Sequence, residues 1–256
     1  MNRDSKLHGG THVLQTPPGE NDQWTYEKRT HWWEADALKS WFLSKGYTLY
    51  NRTRVDGEPT RFMFPACGKE PDEHSFPYAH QHSNVIDDDW VQGPSFTTWC
   101  GYRNVIVYAQ DSQGRHVAIK AVKDRSEEYQ ILRYLKEHLI PTTMDDFENV
   151  LPVLELLSYN EYWFAVMPRW GDVPLRPLAR TMEEILQIIH ALLKGLNCLH
   201  KHKIAHLDIK ADNILVSHFG KRLTDGNNEF RATLRSQGRL TYAFFDFDVA
   251  AIFPPT

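Results

Sequence analysis

Apolar residues along this chain recur at two periods. At the helical one, Ile131, Leu132 and Leu135 follow Glu128 by 3, 4 and 7 positions. This predicts an amphipathic helix with a carboxylate on its apolar face, opened by the capping-box-like pair Asp124 and Glu127. A longer helix starts at the capping box Thr181 and Glu184 and carries Ile185, Ile188, Ile189, Leu192, Leu196 and Leu199 along one stripe, read as core. Gln187, His190, Lys194 and Asn197 interrupt it, so no run reaches the roughly 20 apolar residues of a membrane span. A short amphipathic helix is expected over residues 32–43 and a strand over 47–53. Buried strands are expected at Val105-Ile106-Val107-Tyr108, at Val117-Ala118-Ile119-Lys120, at Tyr162-Trp163-Phe164-Ala165-Val166-Met167, where Pro168 and Gly171 turn the strand into a linker, and at Tyr242-Ala243-Phe244-Phe245. The polar run 221–239, with Thr224-Asp225-Gly226-Asn227-Asn228, reads as an inserted loop, and residues 1–23 read as disordered. No internal repeat is present.

Composition adds bounds rather than chemistry. With 256 residues, 41% hydrophobic and 24% charged, the chain suits one two-lobed domain or a domain with an extension. A net charge of −4 implies no polyanion and hence no nucleic-acid partner. Cys67, Cys100 and Cys198 have no disulfide or metal spacing and read as reduced thiols. The N-terminus carries Arg3, Asp4 and Lys6 and lacks an apolar signal-peptide core. The expectation is an intracellular, cytoplasmic protein with no membrane partner, in which Asn51-Arg52-Thr53 is an unused sequon. Cys67, His74, His80 and His82 fit no standard metal site and read as loop residues.

One short stretch carries the chemistry: His206-Leu207-Asp208-Ile209-Lys210-Ala211-Asp212-Asn213. An aspartate to accept a hydroxyl proton, a lysine to neutralise a moving phosphate and an asparagine to hold a metal ion are the parts that phosphoryl transfer uses. The spacing H-x-D-x-K-x-x-N resembles the catalytic loop of protein kinases. Val117-Ala118-Ile119-Lys120 resembles that family's V-A-I-K strand, and Asp246-Phe247-Asp248 its metal-binding D-F-G, all in the family's order. A carboxylate on an apolar face needs a cation, and Lys120 is the natural partner of Glu128, as in the family's lysine to αC-glutamate pair.

The resemblance covers about residues 93–250 and is closest to kinase-domain proteins of fungi that carry D-F-D. It implies an α+β, two-lobed fold: an N-terminal sheet lobe with one helix over about 93–168, an incomplete helical lobe over about 172–256, and a separate extension of unassigned function over 1–92. It also implies ATP and Mg²⁺ as cofactors, with Lys120 on the phosphates, Glu128 holding it, and Asn213 and Asp246 on metal. Met167 takes the gatekeeper position, the Pro168 carbonyl and Trp170 amide would meet adenine, and Asp172 the ribose. Asp208 and Lys210 are the catalytic pair, and a lysine at 210 indicates a serine/threonine protein substrate.

Several departures accompany the matches. Gly93 and Gly101 do not make a G-x-G-x-x-G before Val105, Leu207 replaces the usual arginine, Asp248 replaces glycine, and 38 residues separate Asp208 from Asp246. The sequence ends at Thr256, shortly after D-F-D, so beside that family it reads as a truncated product or fragment. The alternatives are therefore a catalytically inactive kinase-like binding module and, less well matched, a small-molecule kinase of the same fold.

Overall fold

The computed structural model describes residues 26–67, 76–82, 98–99, 104–172, 174–220 and 229–253. In chain order its elements are α1 (Tyr26–Glu34), α2 (Asp36–Ser44), β1 (Tyr47–Leu49), β2 (Asn51–Val55), β3 (Glu58–Phe64), β4 (His80–His82), β5 (Thr98–Trp99), β6 (Ile106–Asp111), β7 (His116–Lys123), α3 (Glu127–His138), β8 (Glu155–Tyr159) and β9 (Tyr162–Pro168). The second half holds α4 (Met182–Lys201), β10 (Ile204–Ala205), a single 3₁₀ turn (Ala211–Asn213), β11 (Ile214–Val216), β12 (His218–Gly220), α5 (Glu229–Ser236), β13 (Tyr242–Phe244) and β14 (Ala251–Ile252).

The organising element is an antiparallel five-stranded sheet in the order β1-β6-β7-β9-β8. Successive strand residues point to opposite faces, and here the two faces feed two cores. Val117, Ile119, Phe164 and Val166 enter one core with Val107, Ala109, Trp33, Leu38 and Phe42. Val122, Ala165 and Met167 enter the other with Ile131, Leu132 and Leu135 of α3 and Leu199 of α4. A sheet covered on both sides explains why β7 and β9 read as near-continuous apolar runs. A third, smaller core packs α4 against the β11–β13 pair through Ile188, Ala191, Ile214, Val216, Tyr242 and Phe244. The α+β arrangement of a sheet lobe with α3, followed by a helical segment, matches the expectation from sequence.

The expected boundary near residue 92 does not divide the sheet lobe. Strand β1 pairs with β6 through Tyr47↔Asp111 and Leu49↔Ala109, and α1 and α2 cover one sheet face. Asn104 ties this N-terminal part down: its Nδ2 donates to Thr30 Oγ1 at 3.0 Å, its Oδ1 accepts from Arg52 Nη2 at 2.8 Å, and its carbonyl accepts from Trp33 Nε1 at 2.9 Å. Residues 50–105 are thus inserted between two adjacent strands of the same sheet, and they carry the three-stranded sheet β2-β3-β5. The first kinase-like motif, Val117-Ala118-Ile119-Lys120, lies after this insertion, which is why the sequence pattern leaves most of the segment outside.

Other expectations shift in detail. The helix expected over 32–43 is two helices broken at Ala35, whose ψ of 127° is extended. The cap of α3 is Ser126, which accepts from the Tyr129 amide at 3.1 Å, while Asp124 accepts from Trp163 Nε1 at 2.8 Å. Within the expected loop 221–239 the structure forms α5 around buried Arg231, Ala232, Leu234 and Arg235; residues 224–228 lie outside the described residues. His80 and His82 stand on a strand, β4, which runs parallel to β12, rather than in a loop; His74 and Cys100 are outside the described residues. On α4, Ile188 and Leu199 are buried, yet Ile185 and Ile189 are 39% and 46% exposed and join Met182, Leu186 and Leu193 on an uncovered apolar face. Among the described residues no helix is long and apolar enough to cross a membrane.

Because Phe42 is fully buried and its ring lies 4.7 Å from Phe164 of β9, the N-terminal helices are part of the lobe's stability. Phe42→Ala is expected to lower unfolding free energy by about 3–5 kcal/mol, in one cooperative transition read by urea denaturation. A separate early transition that leaves the sheet intact would show instead that α1 and α2 are an independent appendage.

Candidate active site

Strand β7 places Lys120 on the same face as Ala118 and Val122, opposite the small Ala165 of β9. The lysine is only 5% exposed. Helix α3 brings Glu128 in its first turn, and the residues after β13 bring Asp246. Lys120 Nζ donates to Glu128 Oε1 and, at 2.5 Å, to Asp246 Oδ1. Strand, helix and loop therefore meet at one ammonium.

Burial alone would lower the pKa of Lys120, but the Glu128 and Asp246 carboxylates outweigh it and hold it above the ordinary lysine value. Glu128 moves up as well, first through burial, which exceeds the pull of Lys120, with Asp246 and Asp248 adding repulsion. One cation shared among several carboxylates leaves a surplus of negative charge.

The second cluster lies on the loop between β10 and β11. Lys210 Nζ donates to Asp208 Oδ2 at 2.6 Å, and Asn213 Nδ2 donates to the same oxygen at 2.8 Å and to the Asp208 carbonyl at 2.9 Å. The hydrogen bond from Lys210, then that from Asn213, holds Asp208 below its ordinary carboxylate pKa, while Lys210 is raised by Asp208. Asp208 is accordingly an ionised, half-buried carboxylate. The antiparallel pair β11–β13, in the register Ile214↔Phe244, carries Asn213 and the residues leading to Asp246 side by side. Two bonds lock the clusters together: the Phe245 amide donates to the Asn213 carbonyl at 3.2 Å, and His206 Nε2 pairs with the Phe245 carbonyl at 2.9 Å. His206 is 1% exposed and packed in tilted contact with the rings of Phe244 and Phe247, a support for the loop rather than a reactive group.

Leu207 (φ 60°) and Asp246 (φ 65°) both occupy the left-handed region. Such residues cost about 1–3 kcal/mol each and persist where the surroundings over-determine them, most often at functional sites. Leu207, in the place of the expected arginine, is 63% exposed.

The linker places its residues differently. Met167 is buried beside the α3 core. Pro168 closes β9 opposite Val117. Trp170 is 5% exposed, its indole donating to the Pro77 carbonyl at 2.8 Å and packed 5.6 Å from Phe147. Asp172 is exposed. Gly171 bridges Val216 through two backbone bonds, 2.9 and 3.0 Å. The absent glycine-rich turn has a structural counterpart: β1 leaves the sheet after Leu49 and the chain re-enters it at Ile106, so the insertion stands where that turn would be; Gly93 and Gly101 lie outside the described residues.

Sequence reasoning missed a set of buried arginines. Arg169 lies 4.2 Å over Phe219 and 4.9 Å over Tyr108 and donates to the Tyr50 hydroxyl at 2.7 Å. Burial pushes the Tyr50 phenol up to about 12, against the opposing pull of Arg169. Arg231 and Arg235 sit at 0% and 2% exposure. In a linear sequence these read as surface charge, and only the polar run around them hinted at an insertion.

The donor set fits a divalent cation in one specific way. Asn213 commits its nitrogen to Asp208, so its Oδ1 is the atom that could serve a metal, with the Asp246 carboxylate as the second oxygen donor. Among the described residues no three His, Cys, Asp or Glu side chains gather as ligands. Mg²⁺ characteristically binds through one or two protein oxygens and completes its shell with water and substrate phosphates, which suits this sparse set.

These geometric features are those of a kinase cleft, and the comparison with known proteins agrees: a family model described as the protein kinase domain matches residues 101–231, about half of the chain. The chain belongs to the protein kinase family. Death-associated protein kinase 2 of Homo sapiens is 35% identical over 92 residues, which cover 35% of this chain and 23% of that protein. Cyclin-dependent kinase-like 2 of Rattus norvegicus is 25% identical over 124 residues, 46% of this chain and 24% of that protein. Calcium-dependent protein kinase 4 of Plasmodium berghei (strain Anka) is 25% identical over 146 residues, 53% and 27% of the respective chains. The match thus spans about a quarter of the length of these relatives. Kinase domains as a family use ATP and a divalent metal ion.

The shared cation predicts an asymmetry. Lys120→Met is expected to cost about 3 kcal/mol of unfolding free energy, because two largely desolvated carboxylates, 11% and 19% exposed, lose their partner. Glu128→Gln is expected to cost under about 1 kcal/mol, since Asp246 still balances Lys120 and the amide still accepts a bond. The Lys120→Met deficit narrows as the medium becomes mildly acidic: a carboxyl whose folded pKa is raised takes up its proton first in the folded state, so stability rises as pH falls through that value. Urea titrations of both variants at two pH values check this, and equal losses independent of pH would contradict the charge surplus.

Proposed function

We propose that this protein transfers the γ-phosphoryl group of ATP to a serine or threonine hydroxyl of a protein substrate. The observation that carries the reading is the convergence of Lys120–Glu128–Asp246 with Asp208–Lys210–Asn213 across the bonded pair Asn213–Phe245. In this reading Lys120, kept charged by its two carboxylates, binds the nucleotide's phosphates. Asp208, held ionised by Lys210 and Asn213, orients the substrate hydroxyl and accepts its proton. Lys210 neutralises charge on the transferring group, a position also consistent with a serine/threonine preference. Asn213 and Asp246 would hold Mg²⁺, which supplies electrostatic neutralisation of the phosphate oxygens. The Pro168 carbonyl and Trp170 amide face adenine, Met167 closes the pocket behind it, and Asp172 reaches the ribose. The thiols of Cys67 and Cys198 are free, which supports a reducing, intracellular compartment.

A second reading, a kinase-like module that binds a partner without turnover, is favoured by two observations. An insertion replaces the glycine-rich turn, and the α4 face around Met182, Leu186 and Leu193 is 57–68% exposed.

Calorimetry with ATP and Mg²⁺ separates the two. Saturable, Mg²⁺-dependent binding is expected, weakened at least about tenfold in Lys120→Met. Asp208→Asn is expected to reduce phosphotransfer by roughly a hundredfold or more, the scale of general-base catalysis, with nucleotide affinity within about twofold of the parent. Unchanged turnover in Asp208→Asn would refute the assignment of the base. A folded protein that binds no nucleotide would instead support the module.

A further inference from the structure

Helix α5 lies in the stretch between β11 and β13, two strands paired directly with one another, and two of its side chains turn inward onto the segment that follows the linker strand β9. Arg231 Nη1 donates to the carbonyls of Asp172 and Arg176, both at 3.1 Å, Nη2 to the His218 carbonyl at 3.0 Å, and Nε to His218 Nδ1 at 3.1 Å. One turn on, Arg235 donates through Nη1 to the Pro177 carbonyl, through Nη2 to the Pro174 carbonyl at 3.1 Å, and through Nε to the Tyr242 hydroxyl at 3.0 Å. At the rim, exposed Arg180 pairs with Glu229 at 2.9 Å.

The spacing of four residues sets both guanidinium groups on one face of α5. Each is a planar fork with five donors, able to bind several carbonyls at once. Those carbonyls belong to a proline-containing segment with few amide donors of its own to pair them. Upstream, Gly171 approaches β12 so closely that a Cβ there would lie 2.0 Å from the His218 carbonyl oxygen and 2.7 Å from Arg231 Nη2. The linker is therefore stapled twice, by the Gly171–Val216 backbone bridge and by the two arginines.

The geometry points to α5 as a clamp that presets the linker for nucleotide: Arg231 and Arg235 are positioning residues that act through the backbone of Asp172, Pro174, Arg176 and Pro177, while lying too deep to touch a ligand themselves. This inference rests on the proposed nucleotide site, because its benefit is a binding segment ordered before the ligand arrives. Arg231→Lys keeps the charge but gathers its donors on one nitrogen, whereas the guanidinium reaches the carbonyls of Asp172 and Arg176 from Nη1 and that of His218 from Nη2.

The test uses the 256-residue protein and compares it with Arg231→Lys and, as a milder variant that keeps the core filled, Tyr242→Phe, which removes the acceptor of Arg235 Nε. Hydrogen exchange by mass spectrometry reads the peptide covering residues 170–180 against a control peptide from β7, and calorimetry reads Mg²⁺-ATP affinity. In the parent, the 170–180 peptide should exchange slowly without nucleotide. Arg231→Lys should raise its exchange at least tenfold with β7 unchanged and weaken nucleotide at least fivefold, and Tyr242→Phe should shift both two- to threefold. Fast exchange of the linker in the parent, or unchanged exchange in the variants that fold, would overturn the clamp. Faster exchange with unchanged affinity would leave an ordering device that does not position nucleotide, and overturn that role. A parent that binds no nucleotide would defeat the functional reading and the positioning role together, while the clamp would still stand or fall on the exchange data.

Discussion

An ammonium group removed from water has to be surrounded by compensating charge, and Lys120 meets that demand with carboxylates from two distant parts of the chain. Glu128 lies 8 residues on and Asp246 126 residues on. Strand β7, helix α3 and the segment after β13 are thereby fixed relative to one another around a buried point charge. Removing the shared cation leaves both carboxylates uncompensated, whereas removing one carboxylate leaves the other to balance it, so the three elements depend on Lys120 more than on either acid. The second cluster is joined to the first through the β11–β13 pair and two hydrogen bonds at Phe245, from its amide to the Asn213 carbonyl and at its carbonyl with His206 Nε2.

Around this ionic centre the packing is divided by strand alternation. Residues of β7 and β9 that face α1 and α2 build one core, those that face α3 and α4 build the other, and Lys120 belongs to the second face by parity. The lobe therefore needs a cover on both sides. The N-terminal helices supply the outer one, and buried tryptophans 32 and 33 at 7% and 2% exposure show how completely. The two insertions, residues 50–105 and the stretch holding α5, both attach next to the linker, and the arginines they bury or surround, Arg169, Arg231 and Arg235, replace flexible connection with hydrogen-bonded structure.

Much of this was legible in the order of residues. The strand ending in Lys120, the helix with Glu128 on its apolar face, the capping box Thr181–Glu184 and the polar triad Asp208, Lys210 and Asn213 are local: spacing alone places them on a strand, on a helix face or in a turn. Their resemblance to kinase motifs supplied the expectation of how they meet. The cap of α3 was misplaced by two residues, since Asp124 and Ser126 are both competent acceptors and only Trp163 from another strand takes up the first. The outer residues of α4, Ile185 and Ile189, looked like core because periodicity measures the width of an apolar stripe and not what covers it.

What the sequence determined by itself is the set of elements and the chemistry they carry, because helix, strand and turn depend on neighbours within a few residues. The tertiary structure alone decided that β1 completes the sheet across a long insertion, that a polar stretch folds as α5, and that several arginines are interior. Each of these turns on contacts between residues far apart in the chain: a guanidinium reads as surface charge until the carbonyls of Asp172, Pro174, Arg176 and Pro177 are brought against it, and a strand expected over residues 47–53 does not name its partner until β6 lies beside it.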